Sequence, residues 1–192
     1  LAFASGGEEI LANLPGRDVM IGATVTPAML AAGGELKWVQ LISAGVEHVL
    51  KPEILASPLA ITNARGMHVT HMSEHVLAYL LAFARGLPDC QRWQEKREWH
   101  QEEIIDRVFT LSGRTAGIIG LGAIGQGCAV RLAALGMRVV GIRRRNDAPV
   151  PPGVARASGP EGLLEVLRES DVVIVAMPLT RETRGMLGAG EI

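Results

Sequence analysis

Short apolar runs alternate with amphipathic stretches along most of the chain, and this pattern is typical of βαβ units that build a parallel sheet. The candidate strands are 18–22, 36–42, 59–62, 115–119, 137–142 and 171–177. The candidate helices include 52–55, 124–135, 162–168 and one that starts at Thr26 and Pro27, an N-cap followed by a first-turn proline. Residues 147–160 are rich in proline and glycine and predict a loop. The pattern therefore predicts an α/β fold.

The stretch 70–85 differs from the others, because residues 75–83 are apolar on nearly every side of a helix. A helix with this pattern is expected to be buried all round. Gly86 and Pro88 follow it and are typical of a helix end.

The next stretch, 89–106, is polar and charged, and its large apolar side chains are Trp93 and Trp99. We predict a helix here that leads into a linker. A domain boundary at this point divides the chain into 1–88 and 89–192.

The two ends of the sequence fall inside predicted elements. Leu1 opens what the pattern indicates is the second half of a strand, and residues 190–192 stop in an apolar and acidic pattern with no cap. We therefore expect segments of the protein before Leu1 and after Ile192, and both domains are expected to be incomplete here.

Composition and charge exclude several classes of function. The 192 residues carry 19 basic and 20 acidic side chains, a balance that gives no field to attract nucleic acid or an anionic membrane. No apolar run approaches the roughly 18–20 residues needed to cross a bilayer. The two cysteines, Cys90 and Cys128, fit a reducing cytoplasm better than a disulfide scaffold, and Cys128 is expected in the core. We assign no metal ligands.

A glycine-rich turn is the strongest local signal. Gly120, Gly122 and Gly125 form a G-x-G-x-x-G pattern that follows a candidate strand and opens a candidate helix. In a dinucleotide-binding turn the first glycine permits the tight bend, the second lets the backbone approach a pyrophosphate, and the third allows close helix packing. The alternative is a plain strand–turn–helix with incidental glycines. The context favours dinucleotide binding.

Three arginines end the next candidate strand. An NAD-specific fold places an acidic residue about 20 residues past the glycines, where it binds the ribose 2′-hydroxyl. Arg143 stands at this position, followed by Arg144 and Arg145. Guanidinium groups bind a 2′-phosphate, which a carboxylate would repel. The alternative is a solvated basic loop. We predict a preference for NADP(H) over NAD(H), with Arg145 as the bystander.

Several further motifs occur in the order and spacing of a known family. They are Leu36-Lys37-Trp38-Val39-Gln40, Ser43-Ala44-Gly45-Val46-Glu47, Thr62-Asn63-Ala64-Arg65-Gly66, Ser73-Glu74-His75, Gly113-Arg114-Thr115, Leu135-Gly136-Met137-Arg138-Val139, Met177-Pro178-Leu179-Thr180 and Glu182-Thr183. With the glycine-rich turn, they make the chain similar to the D-isomer-specific 2-hydroxyacid dehydrogenases over nearly its whole length.

The resemblance implies two Rossmann-like domains: a flavodoxin-like substrate domain, and a doubly wound parallel sheet that binds NAD(P). It also implies that the backbone amides of Ala44 and Gly45 hold the substrate carboxylate, which a glycine-containing turn can do at close range. Without the resemblance, an ordinary strand-ending turn would be the preferred interpretation of these two residues.

The cofactor contacts implied by the resemblance are Met72, Gly120, Gly122, Ala123, Ile124, Gly125, Arg143, Arg144, Met177, Pro178 and Thr183. In this scheme the amides of Ala123 and Ile124 contact the pyrophosphate, and Arg143 and Arg144 bind the 2′-phosphate. Met177, Pro178 and Thr183 line the adenosine half, and Met72 lies near the nicotinamide.

The catalytic arginine, carboxylate and histidine of the family are expected beyond Ile192, so no catalytic residue is assigned within 1–192. The five histidines of the chain are not assigned as proton carriers, and His75 is expected to have a structural role.

We expect hydride transfer between NADP(H) and a small 2-hydroxy or 2-oxo acid of the glyoxylate or hydroxypyruvate kind. The alternatives are a dinucleotide-binding regulator of the same fold without turnover, and an inactive fragment. The segment 89–106 matches the family's dimerisation arm, which predicts a homodimer, although Trp93 and Trp99 would equally suit packing within one chain.

Overall fold

A computed structural model describes residues 1–145 and 147–191 of the chain. The strands are β1 (Val19–Gly22), β2 (Trp38–Leu41), β3 (Ala60–Thr62), β4 (Thr115–Ile119), β5 (Arg138–Ile142), β6 (Arg156–Ser158) and β7 (Val172–Val175). The helices are α1 (Gly7–Asn13), α2 (Pro27–Ala32), α3 (Pro52–Leu55), α4 (Val69–Ala84), α5 (Leu87–Lys96), α6 (Gln101–Ile105), α7 (Ala123–Ala134) and α8 (Leu163–Glu169). A 3-10 turn at Pro160–Gly162 precedes α8. These elements group into two compact units, Leu1–His68 and Val69–Ile192.

The first unit is built on a three-stranded parallel sheet in the order β1-β2-β3. Its core contains the β2 side chains Val39 and Leu41, with Ile54 of α3 packed among them. The predicted N-cap of α2 is confirmed, because the Thr26 hydroxyl accepts a hydrogen bond from the Met29 amide at 3.2 Å.

The second unit is built on a four-stranded parallel sheet in the order β6-β5-β4-β7. Numbered within this unit, the order is 3-2-1-4, which is the beginning of the dinucleotide-binding order. Ile118 and Cys128 are fully buried in its core, and burial raises the pKa of the Cys128 thiol. Both sheets are parallel and carry helices, so the predicted α/β class is confirmed, as is the core position of Cys128.

Helix α4 belongs to the second unit, where it packs on α7. The packing is close at Gly127, because a Cβ atom there would lie 2.5 Å from Cγ1 of Val69. The prediction that this helix is buried all round is wrong for the described residues. Its other side is open, and Tyr79 and Phe83 are 57% and 64% exposed, because α7 covers one face only. No helix in residues 1–145 and 147–191 has the length and apolar character that crossing a bilayer requires.

Three other predicted segments differ from the structure. Residues 1–5 form no strand, and the first element is α1. The segment 89–106 is two helices rather than one, because Arg97 has a φ of 57° and ends α5. The predicted loop 147–160 contains β6, which pairs with β5 in parallel.

The predicted domain boundary near residue 88 lies beyond α4, whereas the division between the two units lies before it, after His68. The helix groups with the second unit because its contacts are made with α7. The division into a substrate domain at 1–88 and a dinucleotide-binding domain at 89–192 stays a prediction.

Candidate functional site

The glycine-rich turn connects β4 to α7 at the carboxyl edge of the second sheet. Gly120 has a φ of 110°, which L side chains rarely adopt, and a Cβ atom there would lie 2.6 Å from the Met177 nitrogen. A Cβ atom at Gly125 would lie 2.1 Å from the Gly120 oxygen. Both positions therefore need glycine for the turn to pack against the helix and against the segment after β7.

Gly122 differs from its two neighbours in the motif, because a Cβ atom there would have no protein atom within 4 Å. Packing within the protein does not explain this glycine, and the open space beside it would let a ligand approach the backbone. Gly122 is also the N-cap of α7 and supplies no side-chain cap. The amides of Ala123 and Ile124 lie in the first turn, where the helix dipole favours an anion. The turn therefore fits a pyrophosphate.

The position of this turn is fixed by the end of β5. The amides of Gly120 and Leu121 donate to the carbonyl oxygen of Ile142 at 3.0 and 2.9 Å. Arg143 follows directly, and its amide donates to the Ser158 carbonyl at 3.0 Å. The structure thus brings the glycine-rich turn and the start of the arginine run together at one edge of the sheet.

The side chains of the three arginines have different surroundings. The Arg143 guanidinium donates through Nη1 to the Pro149 carbonyl at 2.9 Å and through Nη2 to the Ala148 carbonyl. Arg144 and Arg145 are exposed. Arg143 is therefore engaged with its own loop, which the sequence pattern did not indicate.

The segment after β7 forms a compact loop beside the glycine-rich turn. The Thr183 hydroxyl donates to the Pro178 carbonyl at 2.7 Å and accepts from the Thr180 amide at 2.8 Å. The Thr180 side chain, followed by the charges of Arg144 and Arg181, lowers the pKa of Glu182. The Thr183 hydroxyl thus stabilises this loop.

The predicted substrate turn lies in the first unit, after β2. The Ser43 hydroxyl donates to the Gly45 carbonyl at 2.7 Å, and the Asn63 side chain donates to the Ala44 carbonyl at 2.8 Å. The Glu47 carboxylate also lies against this turn, because a Cβ atom at Gly45 would be 2.8 Å from Glu47 Oε2. The side chains of Ser43 and Asn63 therefore hold the turn, and the Glu47 carboxylate lies beside Gly45.

Two supporting residues of this turn were not predicted. Asn63 holds Ala44, and His68 Nε2 lies 3.0 Å from the Ile42 carbonyl oxygen at the start of the turn. Asn63 stands directly after β3, at the same edge of the sheet as the turn. Its position after a predicted strand was the feature of the sequence that could have indicated this role. Met72 is exposed on α4. The described residues hold no group of three His, Cys, Asp or Glu side chains that could share a metal ion.

The second unit, with its glycine-rich turn, matches a known protein family. The family described as "D-isomer specific 2-hydroxyacid dehydrogenase, NAD binding domain" matches residues 77–192, which is more than half of the chain. The chain belongs to the D-isomer-specific 2-hydroxyacid dehydrogenases. These proteins are NAD(P)-dependent oxidoreductases, so the glycine-rich turn lies in the domain of the family that binds the cofactor.

Individual relatives agree with this assignment. The D-3-phosphoglycerate dehydrogenase of Methanocaldococcus jannaschii is 28% identical over 191 residues, which are 96% of this chain and 35% of that protein. The crystal structure of a family member from Aeromonas salmonicida has a TM-score of 0.81 at 29% identity, and the match covers 94% of this chain and 56% of that one.

An NADPH-dependent glyoxylate/hydroxypyruvate reductase from Sinorhizobium meliloti, solved with NADP and sulfate, is also similar. Its TM-score is 0.73 at 30% identity, and the match covers 92% of this chain and 55% of that one. The chain spans about a third to somewhat over half the length of these three relatives.

Proposed function

We propose that this chain belongs to an enzyme that transfers a hydride between NADP(H) and a small D-2-hydroxy or 2-oxo acid. The preference for NADP(H) over NAD(H) is supported by the three arginines Arg143–Arg145, which directly follow β5. An NAD-binding fold has a carboxylate at this place for the ribose 2′-hydroxyl. Arginine instead offers charge-assisted hydrogen bonds to a 2′-phosphate.

The glycine-rich turn supports the orientation of the cofactor. Open space at Gly122 and the first-turn amides of Ala123 and Ile124 suit the pyrophosphate. The loop from Met177 to Thr183 is close to Gly120 and suits the adenosine half. The nicotinamide supplies the hydride when bound, and the residues of this chain bind and orient it.

The substrate class rests on the turn after β2 and on one relative. The amides of Ala44 and Gly45 would hold the carboxylate of the acid, with Asn63 fixing the turn. The relative from Sinorhizobium meliloti is named as a glyoxylate/hydroxypyruvate reductase and was solved with NADP, which favours glyoxylate- or hydroxypyruvate-like acids. We assign no proton carrier within residues 1–192.

We also propose a homodimer in the cytoplasm. Cys90 and Cys128 are both free thiols, which suits a reducing compartment. Trp99 is 87% exposed next to the charged start of α6, and an exposed aromatic residue in a polar surround suits an interface.

Calorimetric titration of the chain with NADPH and with NADH tests the proposed cofactor. We expect NADPH to bind at least about tenfold more tightly, because a hydrogen bond to a charged group contributes about 1.5–3 kcal/mol. NADH binding as tight as NADPH would contradict the cofactor preference, and binding of neither would contradict the dinucleotide function. NADPH-linked reduction of glyoxylate and hydroxypyruvate by the whole protein then tests the substrate class.

A further inference from the structure

Three successive carbonyl oxygens of the turn after β2 accept hydrogen bonds from the segment that follows β3. The pairs are Asn63 Nδ2 with the Ala44 oxygen at 2.8 Å, the Ala64 amide with the Ser43 oxygen at 3.0 Å, and His68 Nε2 with the Ile42 oxygen at 3.0 Å. The carbonyl groups of residues 42–44 are therefore all directed towards one neighbouring segment of the first unit.

The amides that follow these carbonyl groups point the other way. The peptide bonds of the turn are trans, and in a trans peptide the carbonyl group and the next amide N–H have opposite directions. The amides of Ser43, Ala44 and Gly45 thus face away from the segment after β3, and in the described part of the chain none of them donates to a backbone carbonyl oxygen. Successive amides that face one side form a concavity for an anion.

On its other side the turn is tied to the loop after β1. The sheet order is β1-β2-β3, so this loop flanks the turn opposite to the segment after β3. His48 Nε2 lies 2.9 Å from the carbonyl oxygen of Ala23, the residue that follows β1. Because a carbonyl oxygen only accepts hydrogen bonds, Nε2 carries the hydrogen atom of this contact.

The backbone around His48 is itself fixed. The Val49 amide donates to the Val46 carbonyl at 3.0 Å, and the Val49 side chain is fully buried in the core of the first unit. The imidazole is thus carried by an anchored segment, and its hydrogen bond to Ala23 restrains the turn on the side of β1. Residues 42–48 are therefore held from both neighbouring strands.

We propose that the amides of Ser43, Ala44 and Gly45 together bind the substrate carboxylate, and that His48 is a positioning residue that keeps this turn ready to bind. The inference rests on the proposed function, which assigns the carboxylate of the acid to this turn. His48 does not touch the acid. It fixes the turn before the acid binds, and a loop that is already ordered loses less entropy on binding.

Kinetics of the whole protein with NADPH and glyoxylate test the role of His48. We expect His48→Ala to raise KM for glyoxylate about 3- to 10-fold, as the loss of one hydrogen bond implies, with kcat within about twofold of the wild type. His48→Gln should restore KM, because the glutamine amide also carries an N–H donor. A glutamine side chain does not transfer protons, so its rescue would separate positioning from acid–base catalysis.

His75→Ala is the matched control. It removes another exposed histidine, which lies on α4 of the second unit and whose ring contacts Tyr79. KM for glyoxylate should stay within about twofold of the wild type, as is usual for a surface substitution.

Hydrogen exchange of single amides tests the turn without relying on turnover. In the unliganded protein, His48→Ala should speed the exchange of the amides of residues 43–48 and leave those of α7 unchanged. Oxamate, a 2-oxo acid analogue that accepts no hydride, is added to the wild type together with NADPH. It should slow the exchange of all three amides from Ser43 to Gly45.

Three results would overturn this assignment. They are an unchanged KM in His48→Ala, a His48→Gln variant as impaired as His48→Ala, and an oxamate complex in which the Ser43 amide exchanges as fast as in the free protein. A wild-type protein that reduces neither glyoxylate nor hydroxypyruvate would instead contradict the proposed function and with it the carboxylate assignment. Exchange in the unliganded variants would still decide whether His48 holds the turn.

Discussion

Gly122 and Gly125 lie three residues apart in one turn, but a side chain at each would meet different surroundings. At Gly125 a Cβ atom would be 2.1 Å from the Gly120 oxygen and 3.1 Å from Ile118 Cγ2. At Gly122 it would meet no protein atom within 4 Å. Gly125 is thus required by packing, whereas Gly122 leaves room for a ligand.

Alanine at these two positions should separate stability from binding. We expect Gly125→Ala to lower the free energy of unfolding by about 1–3 kcal/mol, because overpacking forces the backbone to shift. Gly122→Ala should cost less than about 1 kcal/mol, the effect of a poorer N-cap, but should weaken NADPH binding at least about tenfold if its methyl group displaces the pyrophosphate.

Thermal unfolding and calorimetric titration of both variants check these expectations. Equal NADPH affinity of Gly122→Ala and the wild type would show that the pyrophosphate does not approach this backbone.

The candidate site could be predicted from sequence where a residue's role depends on local backbone geometry. The tight turn at Gly120 and the close packing at Gly125 follow from the motif and its place between a strand and a helix. The engagement of Arg143 could not be predicted, because it depends on where the carbonyls of Ala148 and Pro149 lie in three dimensions. Charge patterns give the position of a basic run but not the partner of each guanidinium.

Among the elements, the joint between α5 and α6 is held by a histidine placed between two carboxylates. His100 Nδ1 lies 2.8 Å from Glu103 Oε1 and Nε2 lies 3.0 Å from Glu98 Oε2. The ring stacks on Trp93 at a centroid distance of 4.7 Å. Arg107 also faces this group, over the Trp93 ring at 6.0 Å. Glu103 and then Glu98 raise the pKa of His100, and His100 in turn lowers the pKa of Glu103.

The stability of this joint should depend on pH. Because the pKa of His100 in the folded protein is above its ordinary value of 6.5, its contribution is fully present below pH 6.5 and is lost as the pH rises through the folded value. At the acid end it is lost as Glu103 becomes protonated, below its ordinary value of 4.5. The difference in melting temperature between the wild type and His100→Gln should therefore be larger near pH 5.5 than near pH 8.5 (about three units apart).

Comparing the two proteins at each pH cancels the titration of the groups that do not contact His100, and Glu103, which does, titrates below the pH range compared. A difference that does not change between the two pH values would contradict a charged His100 at this joint.

Elements with a periodic, capping or first-turn proline signal were predicted well, and elements without such a signal were not. The helix at Pro52–Leu55 and the Thr26 cap agree with the prediction. The three-residue strand Arg156–Ser158 was missed because it is short, polar at both ends and lies in a proline-rich stretch. The exposed face of Val69–Ala84 was mispredicted because the apolar pattern of a helix does not tell which neighbours cover it.

For the whole molecule, separate cores stabilise the two units. Leu41 and Ile54 belong to the core of the first unit, and Ile118 and Leu132 to that of the second. The second unit also exposes large apolar side chains on α4 and at Trp99. Exposed apolar surface of this kind is typical of an interaction site, which agrees with the proposed homodimer.

The mass of the protein in solution tests the dimer. We expect light scattering after gel filtration to give about twice the 20.4 kDa of the chain. Trp99→Ala should shift the equilibrium towards the monomer by removing an exposed anchor, with a change of about tenfold or more in the dissociation constant. Trp99→Phe keeps the aromatic ring and serves as the control. A wild-type monomer at high concentration, or a dimer insensitive to Trp99→Ala, would contradict this interface.

The pairing of β4, a central strand of the second sheet, affects how this sheet can form during protein synthesis. β4 pairs with β5 on one side and with β7 on the other, and Ala116 lies opposite Val172, which is 56 residues later. A ribosome that adds about 5–20 residues each second needs roughly 3–11 s to reach Val172 after Ala116. During that time one edge of β4 has no partner strand from its own chain. An unpaired strand edge is a template for pairing with another chain, so we expect this edge of β4 to be the place where the nascent protein is most prone to aggregate.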